Sequence, residues 1–342
     1  MDRVLVVLPN WFGETLFATP FLRALRSQRP QAFIAALGWS QCREVLLHSP
    51  LIDEFLAYDE RGAARGLGAK VRLIGALHAR RFDTAFILRK SLSRSLLLRL
   101  AGIPVRVGFD NAKSGWLLTR RVPLPAGPVH KASTYPELLR AVGLSNVAGP
   151  YEFTVSEPER ASARALLRGV LTSDGRALVM LHPGANWFHK RWAASRFAAL
   201  ADRLTEQERV QVAVTGGPDD VAVARQIAEA MRRSPLVLAG RTTLRELAAC
   251  LEQAQLVVST DTGVLHIAAA LRRPVVALYG PTSPQLTGPL GDPERTVVLH
   301  HADCCPEVPC YRPDHPGFPG MDAISIEEVY RAACQLLGVE VR

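Results

Sequence analysis

The stretch STDTGVLHIAAALRRPVVALYGPTSP, Ser259 to Pro284, reads as one strand–helix–strand unit. An apolar run ends at Asp261–Thr262–Gly263, a small-residue helix covers Val264 to Leu271, and a second apolar run, Val275–Tyr279, follows at once. Strand–helix alternation of this kind implies parallel strands covered on both faces by helices. In such folds ligands bind outside the carboxyl ends of the strands. The N–H groups expected to be free at Thr262, Gly263 and Val264 make an anion site there. His266 lies one turn into the helix, and Tyr279–Gly280–Pro281–Thr282 forms another strand-end loop beside it. A lone Asp-Thr-Gly triplet would make Asp261 a helix cap and His266 a packed core residue. The full stretch points to a ligand.

The alternation extends in both directions. Strands are expected at Val4–Leu8, Ala32–Leu37, Thr84–Leu88 and Val105–Phe109, with helices at Pro20–Gln28 and Leu92–Ala101. Thr19 reads as an N-cap with Pro20 at the first helical position. The pattern loosens after Asn146, a helix follows at Glu157–Leu167, and alternation resumes. Further strands are expected at Ala177–Leu181, Val210–Thr215, Leu236–Ala239, Leu256–Ser259 and Thr296–Leu299. The expected organisation is therefore α/β, with two doubly wound domains at residues 1–155 and 156–325. A last helical segment, residues 326–342, has the option of packing back on the first domain.

At 342 residues the chain is long enough for two ordinary domains. A hydrophobic content of 48% with 21% charged residues marks a folded protein, and the net charge of +9 favours an anionic partner. No zinc-finger, helix-turn-helix or RNA-binding signature accompanies that charge, so nucleic acid is not expected. The N-terminus opens with a strand rather than a signal peptide, and no apolar run is long enough to span a bilayer. The expectation is a cytoplasmic protein whose membrane contact is peripheral. Cys304, Cys305 and Cys310, near His300, His301 and His315, lack the paired C-x-x-C spacing of a zinc site, and no metal is expected.

Three further stretches carry candidate chemistry. In LHPGANWFHKRW, Leu181 to Trp192, Gly184 allows close backbone approach to a ligand, and Lys190 and Arg191 add positive charge before a helix. In TGGPDD, Thr215 to Asp220, Asp219 is placed to meet ribose hydroxyls, although both carboxylates also suit the helix dipole. In RKSLSRS, Arg89 to Ser95, the cations Arg89, Lys90 and Arg94 suit an anionic acceptor or a solvated helix face. No G-x-G-x-x-G follows the first strand and no G-x-x-x-x-G-K-[ST] occurs, which argues against a dinucleotide oxidoreductase and a P-loop enzyme. No D-x-D triplet occurs either, so a diphosphate would be neutralised by helix N-termini and cations such as Lys190.

At the start of the chain, VVLPNWFGETLFATP, Val6 to Pro20, places a lone carboxylate, Glu14, where a strand passes into a helix. Together with LRLAGIPVRVGF (Leu98 to Phe109), HPGANWFHKRW and the Ser259–Pro284 stretch, it resembles the ADP-heptose:lipopolysaccharide heptosyltransferases, glycosyltransferase family 9. The resemblance covers nearly the whole chain and is nearer the type II enzymes of the inner core. The D-[ST]-G-x-x-H core followed by Y-G-P-T is its most specific part.

The resemblance implies a GT-B fold, two Rossmann-like domains facing across a cleft, with acceptor bound mainly by the first and nucleotide-sugar by the second. It implies inverting, metal-independent transfer of heptose from ADP-heptose to a lipid A–core acceptor at the anionic cytoplasmic face of the inner membrane, with no cofactor. Its base is usually an Asp, and Glu14 occupies the matching position, one methylene longer. Glu14 is accordingly the expected base. Lys190 and the Thr262–Gly263 backbone, with Arg191, would stabilise the departing diphosphate; Asp261 and His266 would hold sugar or phosphate oxygens. Two alternatives stand beside this reading: a family member with another sugar or acceptor, and a nucleotide-sugar-binding protein that has lost catalysis.

Overall fold

The computed structural model describes residues 1–60, 62, 66–147, 149–170, 175–207, 210–304, 308–310 and 319–339. The chain divides into two compact units, Met1–Thr154 and Val155–Arg342.

The first unit is built on β1 (Arg3–Val7), β2 (Phe33–Gly38), β3 (Glu54–Ala57), β4 (Thr84–Ile87), β5 (Val105–Phe109) and β6 (Arg120–Val122). They pair in the order β3-β2-β1-β4-β5-β6. The second unit uses β7 (Leu178–His182), β8 (Gln211–Val214), β9 (Leu236–Val237), β10 (Leu256–Thr260), β11 (Val275–Tyr279) and β12 (Thr296–His300), in the order β12-β11-β10-β7-β8-β9. Every pairing is parallel. Counted from each unit's first strand, the two orders are the same, and both are the doubly wound order with a switch point between first and fourth strands. β7, β10 and β11 are buried along their whole length, which is why they read as continuous apolar runs instead of alternating ones.

β3 and β6 are the strands that the apolar pattern does not reveal. Both lie at the sheet's edges, and Glu54-Phe-Leu-Ala and Arg120-Arg-Val are half-exposed or exposed. Their place in the sheet comes from backbone pairing with β2 and β5.

One local reading changes. Thr19 is the first residue of the helix Thr19–Gln28 rather than its cap. Its fully buried hydroxyl donates to the Leu16 carbonyl at 2.7 Å and accepts from the Glu152 N–H at 2.9 Å. The last helix, Ile326–Leu337, gives Val329, Tyr330, Ala332, Ala333 and Cys334 to the core of the second unit, formed with Val179, Phe197 and Val258. A Ser325–Glu328 capping box opens that helix, and Gly338, at φ +70°, closes it in the left-handed conformation that glycine adopts without strain. The first unit has its own core around Leu5, Leu37, Phe82, Ile87 and Leu98.

Replacing Thr19 by Val removes both hydroxyl bonds and strands a buried N–H, so the first unit should lose about 1–3 kcal/mol in denaturant melts. Thr19→Asp, acceptable at a cap, should cost at least as much, because it buries a carboxylate.

Candidate active site

In the second unit the first and fourth strands, β7 and β10, lie side by side, and the loops leaving their carboxyl ends carry the densest chemistry. The β7 loop returns through a short turn, Phe188–Lys190, that delivers Lys190; the β10 loop begins with Asp261. Lys190 Nζ donates to Asp261 Oδ2 at 2.6 Å, so an ion pair spans the switch point. Thr282, from the β11 loop, donates to the same oxygen at 2.7 Å, and His266 Nε2 stands 3.9 Å from Oδ1. Burial alone would raise the Asp261 carboxyl, but Lys190, His266 and the hydrogen bonds from Lys190 and Thr282 outweigh it and hold the group below its ordinary value. An ammonium has three donors, so Lys190 retains capacity beyond this pair.

Thr262 precedes the helix Gly263–Ala270, whose residues Val264 to Ala269 are buried. That helix can run through the interior because its side chains other than His266 are small or apolar, and its first turn follows directly on the end of β10. His266 sits on it, 3% exposed.

Beside this cluster is a second one. Asp220, not Asp219, turns inward: Asp219 is exposed, while Asp220 accepts from the Gly217 N–H at 3.0 Å and lies 3.5 Å from Arg191 Nη2. A Cβ on Gly184 would come within 2.7 Å of the Asp220 carboxyl carbon, and one on Gly216 within 2.6 Å of the Asp220 Cβ. The missing side chain at Gly184 therefore admits this carboxylate. Arg191 also donates to the Ala185 carbonyl at 2.9 Å, and Thr260 donates to the Gly184 carbonyl at 2.6 Å, fixing the β7 loop from both sides. His182, at the end of β7, is buried with Nδ1 2.9 Å from Thr215 Oγ1. Burial pushes its imidazole down to about 4 against an upward pull from Asp220.

The first unit has the equivalent rim at the ends of β1 and β4. Glu14 stands in the first turn of the helix Phe12–Phe17, and Lys131 Nζ donates to its Oε1 at 2.6 Å. Lys131 opens a one-turn helix capped by His130 Nδ1, which accepts the Ala132 N–H at 3.1 Å. The His130 ring packs edge-on against Phe17, 5.5 Å between centroids, so the helix that carries Glu14 also places its partner cation. Burial, and then the Glu14 charge, raise the buried Tyr135 phenol. A groove of about 610 Å³ nearby in sequence is lined by Arg121, Leu124, Val129, Ser133 and Arg140.

After β4, Arg89 and Lys90 line a small cavity of about 10 Å³ with Ser95, Asn111 and Ser114. Arg94, grouped with them in the sequence reading as an acceptor contact, does not belong there. Its side chain is fully buried, donating to the Leu8 carbonyl and to Asn10 Oδ1, each at 2.9 Å, with Glu60 3.8 Å away. It braces the loop that leads from β1 toward Glu14.

Against known sequences, the pattern of glycosyltransferase family 9 (heptosyltransferase) matches residues 70–312. The chain belongs to that family. Lipopolysaccharide heptosyltransferase 2 of Salmonella typhimurium is 30% identical to it over 311 residues, 87% of this chain and 88% of that protein. Among solved structures, a family 9 glycosyl transferase from Veillonella parvula superposes with a TM-score of 0.87 at 25% identity, covering 98% of this chain and 97% of its own. The ADP-heptose heptosyltransferase II of Escherichia coli does so with a TM-score of 0.82 at 27% identity, covering 98% of each. The family 9 protein is thus a glycosyltransferase of GT-B fold.

Of the residues picked from sequence, the structure gathers Lys190, Asp261, Thr262, Gly263 and His266 at one rim, with Gly184 and Arg191 beside them. Lys131, Thr282, Asp220 and His182 were missed. The first two are joined to their partners only through the fold, 117 and 21 residues along the chain. For Thr282, His182 and Asp220 a signal existed, since all three stand in stretches already singled out. Cys305 and His315 lie outside the described residues. Among the described residues no three His, Cys, Asp or Glu side chains are grouped to hold a metal ion.

Because His182 is neutral when folded and takes a proton more readily when unfolded, its burial costs nothing above the unfolded value near 6.5 and costs increasing stability as pH falls toward about 4. Between about pH 7 and pH 5 the His182→Asn variant should lose less stability than the parent in thermal melts. Arg94→Met should lower stability by about 2–4 kcal/mol in urea melts, because it strands a buried carbonyl and Asn10. A surface acceptor contact would cost less than about 0.5 kcal/mol.

Proposed function

We propose that this protein transfers heptose from ADP-heptose to the inner core of lipopolysaccharide, with inversion at the anomeric carbon and without a metal. The single observation that carries the reading is the Lys190–Asp261–Thr282 cluster at a switch point, with Asp261 and Thr282 buried, beside a helix N-terminus, in a chain of family 9. It provides a fixed cation and backbone donors for a diphosphate in a sequence that has no D-x-D triplet. The relatives add the chemistry by name: the Salmonella and Escherichia coli proteins are lipopolysaccharide heptosyltransferases, and the latter's structure is described for ADP-heptose.

In this mechanism the acceptor hydroxyl oxygen attacks the anomeric carbon as the bond from that carbon to the β-phosphate oxygen breaks. The hydroxyl proton passes to Glu14, oriented by Lys131 through Oε1. ADP departs with the extra negative charge, which Lys190 and the Thr262–Gly263 backbone stabilise, with Arg191 supporting the loop. Asp261 accepts hydrogen bonds from sugar hydroxyls, His266 bonds sugar or phosphate oxygens, and Asp219, with Asp220 beside it, meets the ribose hydroxyls. Arg89 and Lys90 meet the anionic acceptor. The enzyme works in the cytoplasm at the anionic face of the inner membrane, held peripherally; among the described residues no helix is long and apolar enough to cross a membrane.

Transfer from ADP-heptose to truncated lipopolysaccharide, assayed in EDTA, tests this. Wild type should turn over undiminished by the chelator. Glu14→Gln should bind ADP-heptose within about twofold of wild type but lose about 10²–10⁴ in kcat, and Lys190→Ala should lose about 10²–10³. Binding of ADP-heptose with no transfer by wild type or by Glu14→Asp would leave a donor-binding protein; no binding would overturn the donor.

A further inference from the structure

The helix Leu92–Leu100 in the first unit carries its leucines on two faces. Leu97 and Leu98 are buried in the core, together with Arg94. Leu92, Leu96 and Leu100 point the other way, 47%, 41% and 58% exposed. At 100° per residue these three positions fall within about 80° of arc, so they form one continuous apolar stripe along solvent. Beside this helix packs the short turn Gly115–Leu117, whose Trp116 is 59% exposed. Among the described residues of the first unit, none covers either group.

The charge around the stripe identifies what would. From Arg89 to Arg121 the sequence has eight basic residues and one carboxylate, Asp110; of the eight, Arg94 is buried and Arg89 lies 3.6 Å from Glu60, so the excess at the surface comes from the others. Lys90, Arg99, Lys113, Arg120 and Arg121 are exposed. The helix packs on β5 and on the turn, and β5 pairs with the edge strand β6, whose Arg120 and Arg121 point to opposite faces of the sheet. An exposed leucine stripe flanked by cations, with a tryptophan at the margin, is the pattern of an element that lies in a bilayer interface: apolar side chains enter the acyl boundary, Trp sits among headgroups and Lys or Arg meet anionic lipid. A protein partner would match the leucines equally well but gives no reason for the surrounding excess of positive charge.

We propose that the exposed face of the Leu92–Leu100 helix, with Trp116 and the cations Arg99 and Lys113, is the surface by which this protein docks on an anionic lipid bilayer. The proposal rests on the reading that its acceptor is carried by a lipid, and it assigns the docking to one face of the unit that holds Glu14. Docked this way, the enzyme would find its acceptor by diffusion along the membrane, and Arg89 and Lys90, just ahead of the stripe, would lie close to the headgroup layer.

Flotation of the intact protein with vesicles tests it. Wild type should bind phosphatidylcholine vesicles containing about 30% phosphatidylglycerol at least about tenfold more tightly than phosphatidylcholine alone, and release at about 0.5 M salt. Leu96→Gln/Leu100→Gln should bind the anionic vesicles about tenfold more weakly, with an unchanged melting temperature and unchanged ADP-heptose affinity. Arg99→Gln/Lys113→Gln should do the same and lose most of the salt dependence. In transfer assays the leucine variant should act as wild type on deacylated, soluble core acceptor and fall behind on vesicle-borne acceptor. Absence of vesicle binding by wild type, or undiminished binding by the leucine variant, overturns the proposal while leaving transfer to soluble acceptor to judge the enzymatic reading. Sedimentation showing a wild-type dimer that the leucine variant dissolves would also overturn it, assigning the face to a second copy.

Discussion

The parallel pairing of each unit's first and fourth strands, β1 with β4 and β7 with β10, is the constraint on which the chemistry depends. Parallel strands deliver all their carboxyl ends to one rim, and at this pair the connections leave in opposite directions, so the loops part and expose backbone donors. In the first unit the rim carries Glu14 after β1 and Arg89 and Lys90 after β4; in the second it carries Lys190 and Asp261. The apolar strands that end there are buried on both faces, which leaves the loops as the place where charge can be held at all.

Charge that is held there is organised by burial. Asp261 is 6% exposed and would be unfavourable as an isolated carboxylate; Lys190, Thr282 and His266 are what permit its ionised form. Arg94 plays a comparable part without touching a ligand, since its guanidinium ties two groups of the loop after β1 and fixes the approach to Glu14. Gly184 and Gly216 act by having no side chain, letting Asp220 fold in against the β7 loop. These contacts place the groups assigned to the reaction.

Much of this was legible in the sequence. The buried strands announced themselves as apolar runs, their order of appearance implied parallel pairing, and Asp-Thr-Gly with a downstream His marked the richer rim. The edge strands Glu54–Ala57 and Arg120–Val122 did not, because their place is set by backbone pairing and their side chains carry no apolar signal. Arg94 was misread for a related reason: a charged residue between two serines looks solvated, and only the fold shows that position facing the interior. Thr19 was taken for a cap because Thr-Pro is a common helix opening, whereas its hydroxyl is engaged by Glu152, far along the chain. Lys131 could not be found from Glu14 by spacing, since 117 residues separate them.

The two units repeat one strand order, and each has a buried cluster of its own, one around Val179 and one around Leu5. Over a lineage, the rim loops of one half can be rewritten by insertion or drift while the other half's wiring stays intact. That gives such a chain a way to trade one ligand for another a half at a time, with no interval in which both must be rebuilt together.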